Sequence, residues 1–169
     1  MFSGKTQELL RRMERCRVAR MRCLLIKWSR DNRYSNDKVV SHDGIDSDIV
    51  TIKALSLEHI DVNFFDVIGI DEGQFYPDIH TATVAWALSG KRVIISALDM
   101  TFEGVPFGNI YKIIPERLTK LTAICTRCLS DNAIFSHRIV DGSKEEMVGG
   151  IESYAPLCRT CFNSELFTK

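Results

Sequence analysis

Two sets of residues in this 169-residue chain have types and spacing suited to chemistry. The first is a pair of C-x-x-C motifs. "CTRC" supplies Cys125 and Cys128, "CRTC" supplies Cys158 and Cys161, and 29 residues separate the pairs. Four thiolates match the tetrahedral preference of zinc, and an all-protein ligand set leaves no position open for catalysis. A redox-active pair would not need a matching second pair, so a structural zinc site is expected. Cys16 and Cys23 are expected in the core. The second set is split along the chain. In "MFSGKT", Gly4, Lys5 and Thr6 reproduce the end of the phosphate-binding pattern G-x-x-x-x-G-K-[ST], and "VIGIDEGQF" runs from apolar residues into Asp71 and Glu72. In such a loop, backbone N–H groups at a helix start cradle phosphates, Lys5 reaches the β- and γ-phosphates and Thr6 holds Mg²⁺. An acid at the end of a hydrophobic strand organises the same ion, which suits Asp71. Glu72 could then take a proton from a hydroxyl nucleophile. A short G-K-T run also arises by chance, and an acidic pair can simply cap the next helix.

These residues need elements to hold them. Residues 6–20 carry Leu9, Met13 and Cys16 at helical spacing, with Leu10 widening the stripe. "CLLIK" (23–27) reads as a buried strand, 31–48 as a long polar loop and 49–55 as another strand, followed by a short helix near 56–62. A strand over 66–72 ends in the two carboxylates. A helix over 78–89 is closed by Gly90, and "RVIISAL" (92–98) is again a strand. That alternation argues for a parallel α/β sheet. Beyond residue 99 the pattern loosens into a loop with a short helical stretch near 108–114. Short strands are expected at 121–125 and 133–140, with "EEMVGG" following a turn at "DGS".

Composition narrows the class. The chain is 45% hydrophobic and 26% charged, and no apolar run is long enough to span a membrane. No secretory leader is legible, so a cytoplasmic location is expected. Formal net charge is zero, which argues against general nucleic-acid binding. Residues 5–30 nevertheless hold nine Lys/Arg and two Glu, which reads either as a solvated helix face or as a field favouring a polyphosphate. Asp31 and Arg33 in "RDNRY" read as a surface ion pair on composition alone. Phe75, Phe102 and Phe107 suit either a core or a slot for a flat base.

The ordered series "MFSGKT", "ELLRRM", "DNRY", "VIGIDEGQFYPDI", "ALDMTFEGVPFG", "KLTAICTRC", "GGIESY" and "CRTC" closely resembles the type II thymidine kinases over essentially the whole chain. The resemblance implies a RecA-like P-loop α/β sheet over 1–120 and a small four-cysteine zinc domain over 121–169 that carries a lasso loop. It implies transfer of the γ-phosphoryl group of ATP to the 5′-hydroxyl of thymidine with Mg²⁺, a step of nucleotide salvage. A homotetramer is the usual assembly.

Matched position by position, Met1, Phe2, Ser3, Gly4, Lys5 and Thr6 fall on the phosphate loop, with Met1 also beside the base. Asp31, Asn32 and Arg33 match the region around the phosphates and magnesium. Asp71 matches the magnesium-associated acid alongside Thr6, Glu72 the general base, and Gly73 and Gln74 the same nucleotide-binding run. Phe75, Leu98, Phe102 and Phe107 match the surroundings of the thymine ring, and Ser136 a small hydroxyl position near the 5-methyl group. Glu145, Glu146, Met147, Val148 and Gly149 match a lasso whose main chain bonds the base edge, while Tyr154 packs against the nucleoside. The family's first strand and the glycine that opens its loop have no counterpart before Met1, from which poor stability or lost activity is expected. Met100 stands where the family usually has glycine, a residue that permits backbone shapes methionine resists. Gly104 and Val105 replace basic residues common before "PF". Two other readings are a P-loop ATPase with a zinc ribbon and a catalytically impaired remnant acting as a binding protein.

Overall fold

The computed structural model describes residues 1–31, 49–140 and 150–167. The expected "DGS" turn and the start of "EEMVGG" lie outside them, as does nearly all of the 31–48 loop. Helix α1 (Lys5–Val18) starts behind Gly4, which sits in the left-handed region at φ 73°. Glu8 in its first turn and Arg15 and Arg17 in its last complement the helix dipole. Arg11 and Arg12 both bond the Glu8 carboxylate, which holds its pKa down to about 2.

Four strands follow: β1 (Cys23–Trp28), β2 (Val50–Ala54), β3 (Val67–Ile70) and β4 (Arg92–Ile95), with helix α2 (Ile79–Leu88) between the last two. They form one parallel sheet in the order β2-β1-β3-β4. Successive side chains of a strand point to opposite faces, and here the two faces build two cores. Cys23, Leu25 and Val67 pack with Leu9, Met13 and Cys16 of α1. Leu24, Ile26, Trp28, Ile68 and Ile70 pack with Ile79 and Trp86 of α2. The sheet is thus sandwiched between two helices, which is why β1 and β3 read as continuous apolar runs. A Cβ at Gly69 would lie 2.1 Å from Met13 Sδ, so the glycine lets α1 approach β3. Cys16 and Cys23 are both buried in the α1-side core, as expected, and burial pushes the Cys23 thiol up to about 11.

A second, smaller unit holds a two-stranded antiparallel ribbon, β5 (Phe135–Arg138) and β6 (Tyr154–Leu157), and helix α3 (Arg159–Phe167). Its core contains Ala123, Ala133, Phe135, Leu157 and Phe162 together with three of the cysteines. The Phe135 and Phe162 rings stack with centroids 4.2 Å apart.

Several element expectations shift. Residues 56–62 form turns rather than a helix, because Asp78 accepts the backbone N–H groups of Leu57 and Glu58 at 2.7 and 2.8 Å and holds that chain in a bend. The 121–125 strand reduces to a single bridge between Ala123 and Ala133. The 108–114 stretch is a 3-10 turn at Ile110–Lys112. β6 and α3 were not foreseen. Met100 requires no glycine-like backbone: its φ is ordinary, it bridges Pro106, and it packs on the cysteine-containing core. The positive φ values in that loop belong to glycines, Gly104 at 80° and Gly108 at 55°. Among the described residues no helix is long and apolar enough to cross a membrane.

Candidate functional site

The end of β3 delivers the carboxylates, and β1 beside it fixes their position. The register Ile26↔Ile70 carries one step further, and Asp71 N–H donates to Ile26 carbonyl oxygen at 2.9 Å. The chain then turns sharply. Glu72 adopts φ 55° and ψ 44°, a left-handed conformation that strains a non-glycine residue, and a 3-10 turn at Gly73–Phe75 follows. Gly73 fits there because a Cβ would lie 2.6 Å from Ile95 Cγ2. Its N–H donates to Ser96 carbonyl oxygen at 2.9 Å.

Both carboxylates are buried. Thr6, in the first turn of α1, donates its hydroxyl to Asp71 at 3.0 Å. Gln74 Nε2 donates to Glu72 at 2.6 Å, while Gln74 Oε1 accepts the Leu98 N–H at 2.9 Å. One polar chain therefore links the start of α1, the end of β3 and the segment after β4. Burial and the adjacent Glu72 carboxylate push the Asp71 carboxyl above its ordinary 3.8, and the Thr6 hydroxyl pulls it back. Adjacent buried carboxylates beside a hydroxyl are an oxygen-only donor set, which suits a hard divalent cation.

The other candidates group around this chain. Phe75 lies between Trp28, stacked at 5.6 Å, and Phe107, edge-on at 5.5 Å, so it belongs partly to the sheet core. The loop carrying Phe102 and Phe107 folds back on itself, with Phe107 N–H donating to Asp99 carbonyl oxygen at 3.1 Å. Gly108, at φ 55°, lets it touch the acidic turn, since a Cβ would lie 2.3 Å from the Gln74 carbonyl oxygen. The Met1 amine donates to the buried Ser136 hydroxyl at 2.5 Å, joining the start of the chain to β5. Tyr154 is buried opposite Arg138 in the ribbon. Phe2 is 47% exposed at φ 60°. Ser3 is half-buried in the chain leading to Gly4, and Asp31 follows β1 with its N–H on Trp28 carbonyl oxygen at 3.0 Å. Asn32, Arg33, Glu145, Glu146, Met147, Val148 and Gly149 lie outside the described residues.

The sulfur atoms of Cys125, Cys128, Cys158 and Cys161 lie within 4.8 Å of one another and can hold a metal ion. The Cys128–Cys158 separation is 3.7 Å, against about 3.8 Å between ligands of a tetrahedral zinc thiolate site. The first pair sits on a turn closed by Leu129 in the left-handed region, and the second pair flanks the start of α3.

Arg138 was missed in the sequence. Its guanidinium lies 3.8 Å over the Phe102 ring. The signal was available: the alternation in "AIFSHRIV" puts Arg138 on the same side of a strand as Ser136.

Comparison with known proteins places these residues in a family context. A family model described as thymidine kinase matches residues 1–162. The chain is 44% identical over 171 residues to Thymidine kinase 1 of Dictyostelium discoideum, covering 98% of this chain and 75% of that protein. It is 46% identical over 166 residues to a thymidine kinase of Yaba monkey tumor virus, covering 96% and 90%. A thymidine kinase of vaccinia virus is 42% identical over 164 residues, covering 96% and 92%.

Proposed function

The chain belongs to the thymidine kinase family, and from that premise we propose how its residues transfer the γ-phosphoryl group of ATP to the 5′-hydroxyl of thymidine. The carrying observation is the polar chain from Thr6 through Asp71 and Glu72 to Gln74. It joins a helix N-terminus, which favours phosphate, to two buried carboxylates. Gly4 and Lys5 cradle and neutralise the ATP phosphates at the start of α1, with Met1, Phe2 and Ser3 leading into that turn. Thr6 and Asp71 would hold Mg²⁺, which would supply charge neutralisation on the phosphates. Asp31, Asn32, Arg33 and Gly73 complete the phosphate side.

Glu72 is the general base. It accepts the 5′-hydroxyl proton as the O5′–phosphorus bond forms and the bond to the β-phosphate oxygen breaks, leaving ADP. Gln74 orients the Glu72 carboxylate. Phe75, Leu98, Phe102 and Phe107 surround the thymine ring, Ser136 faces its 5-methyl group and Tyr154 packs on the nucleoside. Residues 145–149 bond the base edge. Positioning and electrostatics dominate such a reaction, so a rigid turn at Glu72 suits it.

The chain reads as two units, 1–120 and 121–169, supported by their separate cores. The first is read as a RecA-like P-loop domain. The second is read as a zinc domain, supported by its four thiols. A cytoplasmic homotetramer is part of the same reading. An ATPase with a metal ribbon is not favoured, because the family match spans both units.

Glu72→Gln is the test. Thymidine-dependent ADP release should fall about 10²–10⁴-fold, the usual worth of a general base, while thymidine binding stays measurable by calorimetry. Near-normal turnover in that variant sinks the assignment.

A further inference from the structure

We propose that Arg138 is a positioning residue for nucleoside binding, fixing the Phe102 and Tyr154 rings relative to each other. The inference rests on the reading of those two rings as part of the thymidine site. An arginine on a small two-stranded ribbon ordinarily lays its stem on the surface and puts its head in water. Arg138 is only 8% exposed. Its guanidinium lies 3.8 Å from the Phe102 ring centroid and 5.7 Å from that of Tyr154. Its Nη2 donates to the Tyr154 hydroxyl at 3.3 Å.

The two rings come from different places. Tyr154 opens β6 and pairs directly with Arg138 across the ribbon. Phe102 sits on the loop after β4, which touches the acidic turn through Gly108. Arg138 therefore connects the ribbon to the loop that borders the carboxylates. It also shares a face of β5 with Ser136, whose hydroxyl meets Met1 at 2.5 Å, so that face looks toward the start of α1. A planar cation held against one ring face while donating to the hydroxyl of a second ring fixes both in angle as well as distance. A flat base needs such fixed faces, and a small misplacement is felt in binding.

The test uses the full chain. Arg138→Met keeps the stem and removes the charge, while Arg138→Lys keeps the charge and loses the fork. Arg138→Met should raise the thymidine KM about tenfold, as expected for losing a desolvated cation–ring contact, and leave the ATP KM unchanged. Arg138→Lys should recover part of that loss. Phe102→Leu should raise the thymidine KM by itself, and adding it to Arg138→Met should add little, since the shared contact is already gone. Melting midpoint and bound metal per chain report folding. If Arg138→Met does not fold, Arg138→Lys carries the comparison, with a selective rise in thymidine KM expected.

Three results overturn the proposal: an unchanged thymidine KM in a folded variant, a parallel rise in both KM values, or Arg138 and Phe102 effects that multiply independently. An unchanged thymidine KM in Phe102→Leu removes the underlying reading of the nucleoside site, and the proposal with it. That result is distinct from a normal Arg138→Met beside an impaired Phe102→Leu.

Discussion

The sheet unit and the four-cysteine unit reach order by different physics. The sheet has two helix-covered faces, and Leu25, Ile26, Val67, Ile68 and Ile70 are fully buried between them. Burial of that kind is its own driving force. Among the described residues, the smaller unit has a two-stranded ribbon, one short helix and a modest core that includes three cysteine side chains. An isolated two-stranded ribbon is marginal in water, and units of this size usually need a staple. The difference teaches where each half of the site is vulnerable. The carboxylates sit on the half with the larger apolar core, and Ser136, Arg138 and Tyr154 sit on the half whose four thiols can hold a metal ion.

The largest expected effect follows from that contrast. Stripping metal with a strong chelator at neutral pH removes what would be about 10–16 kcal/mol of apparent binding free energy in a zinc-finger peptide. Thymidine-dependent turnover should disappear, while hydrogen exchange stays protected in β1 and β3 and becomes fast in β5 and β6. Uniform loss of protection across both units would break the comparison.

A smaller effect sharpens it. Leu25→Ala empties a fully buried position between α1 and the sheet and should cost about 2–5 kcal/mol, lowering the melting midpoint with or without metal. Phe135→Ala removes a ring stacked on Phe162 and should cost about 3–5 kcal/mol within its own unit. With metal bound, that loss should leave the sheet transition in place; without metal, the ribbon should not form. Calorimetry of both variants, with and without metal, checks the pair. A Phe135→Ala variant that shifts the sheet transition as far as Leu25→Ala contradicts the separation.

The same contrast explains what could be read from the sequence. Strands β1 and β3 were legible because a strand covered on both faces is apolar at nearly every position, with Lys27 the exception in β1, and α1 because a one-sided helix shows its stripe. The cysteine spacing was legible because ligand geometry is local. β6 and α3 were not, since "YAPL" carries a proline and "RTCFNSELF" lacks an apolar stripe; its order comes from Cys158, Cys161 and Phe162 packing on the ribbon. The acidic pair was visible as two letters. The left-handed turn at Glu72 and the Gln74 bridge to Leu98 were not, because both depend on where β4 ends in space. Arg138 escaped because its partners are 36 residues before it and 16 after it.

The smallest effect concerns the sheet unit alone and has an unusual sign. Asp71 is buried next to Glu72, and its folded pKa lies above the ordinary 3.8. Between 3.8 and that raised value the folded state holds more protons than the unfolded state. The stability this group contributes is therefore complete below 3.8 and is lost as pH rises through the folded pKa. Asp71→Asn removes the ionisation and keeps an oxygen that can accept the Thr6 hydroxyl bond. Without nucleotide or divalent cation, the variant should match the parent at low pH and melt higher than it at neutral pH, while losing turnover. Thermal melts across that range check the sign. A variant less stable than the parent at neutral pH means that Asp71 supports the fold as a charged group, and the apolar core is then not sufficient by itself to hold the carboxylates in place.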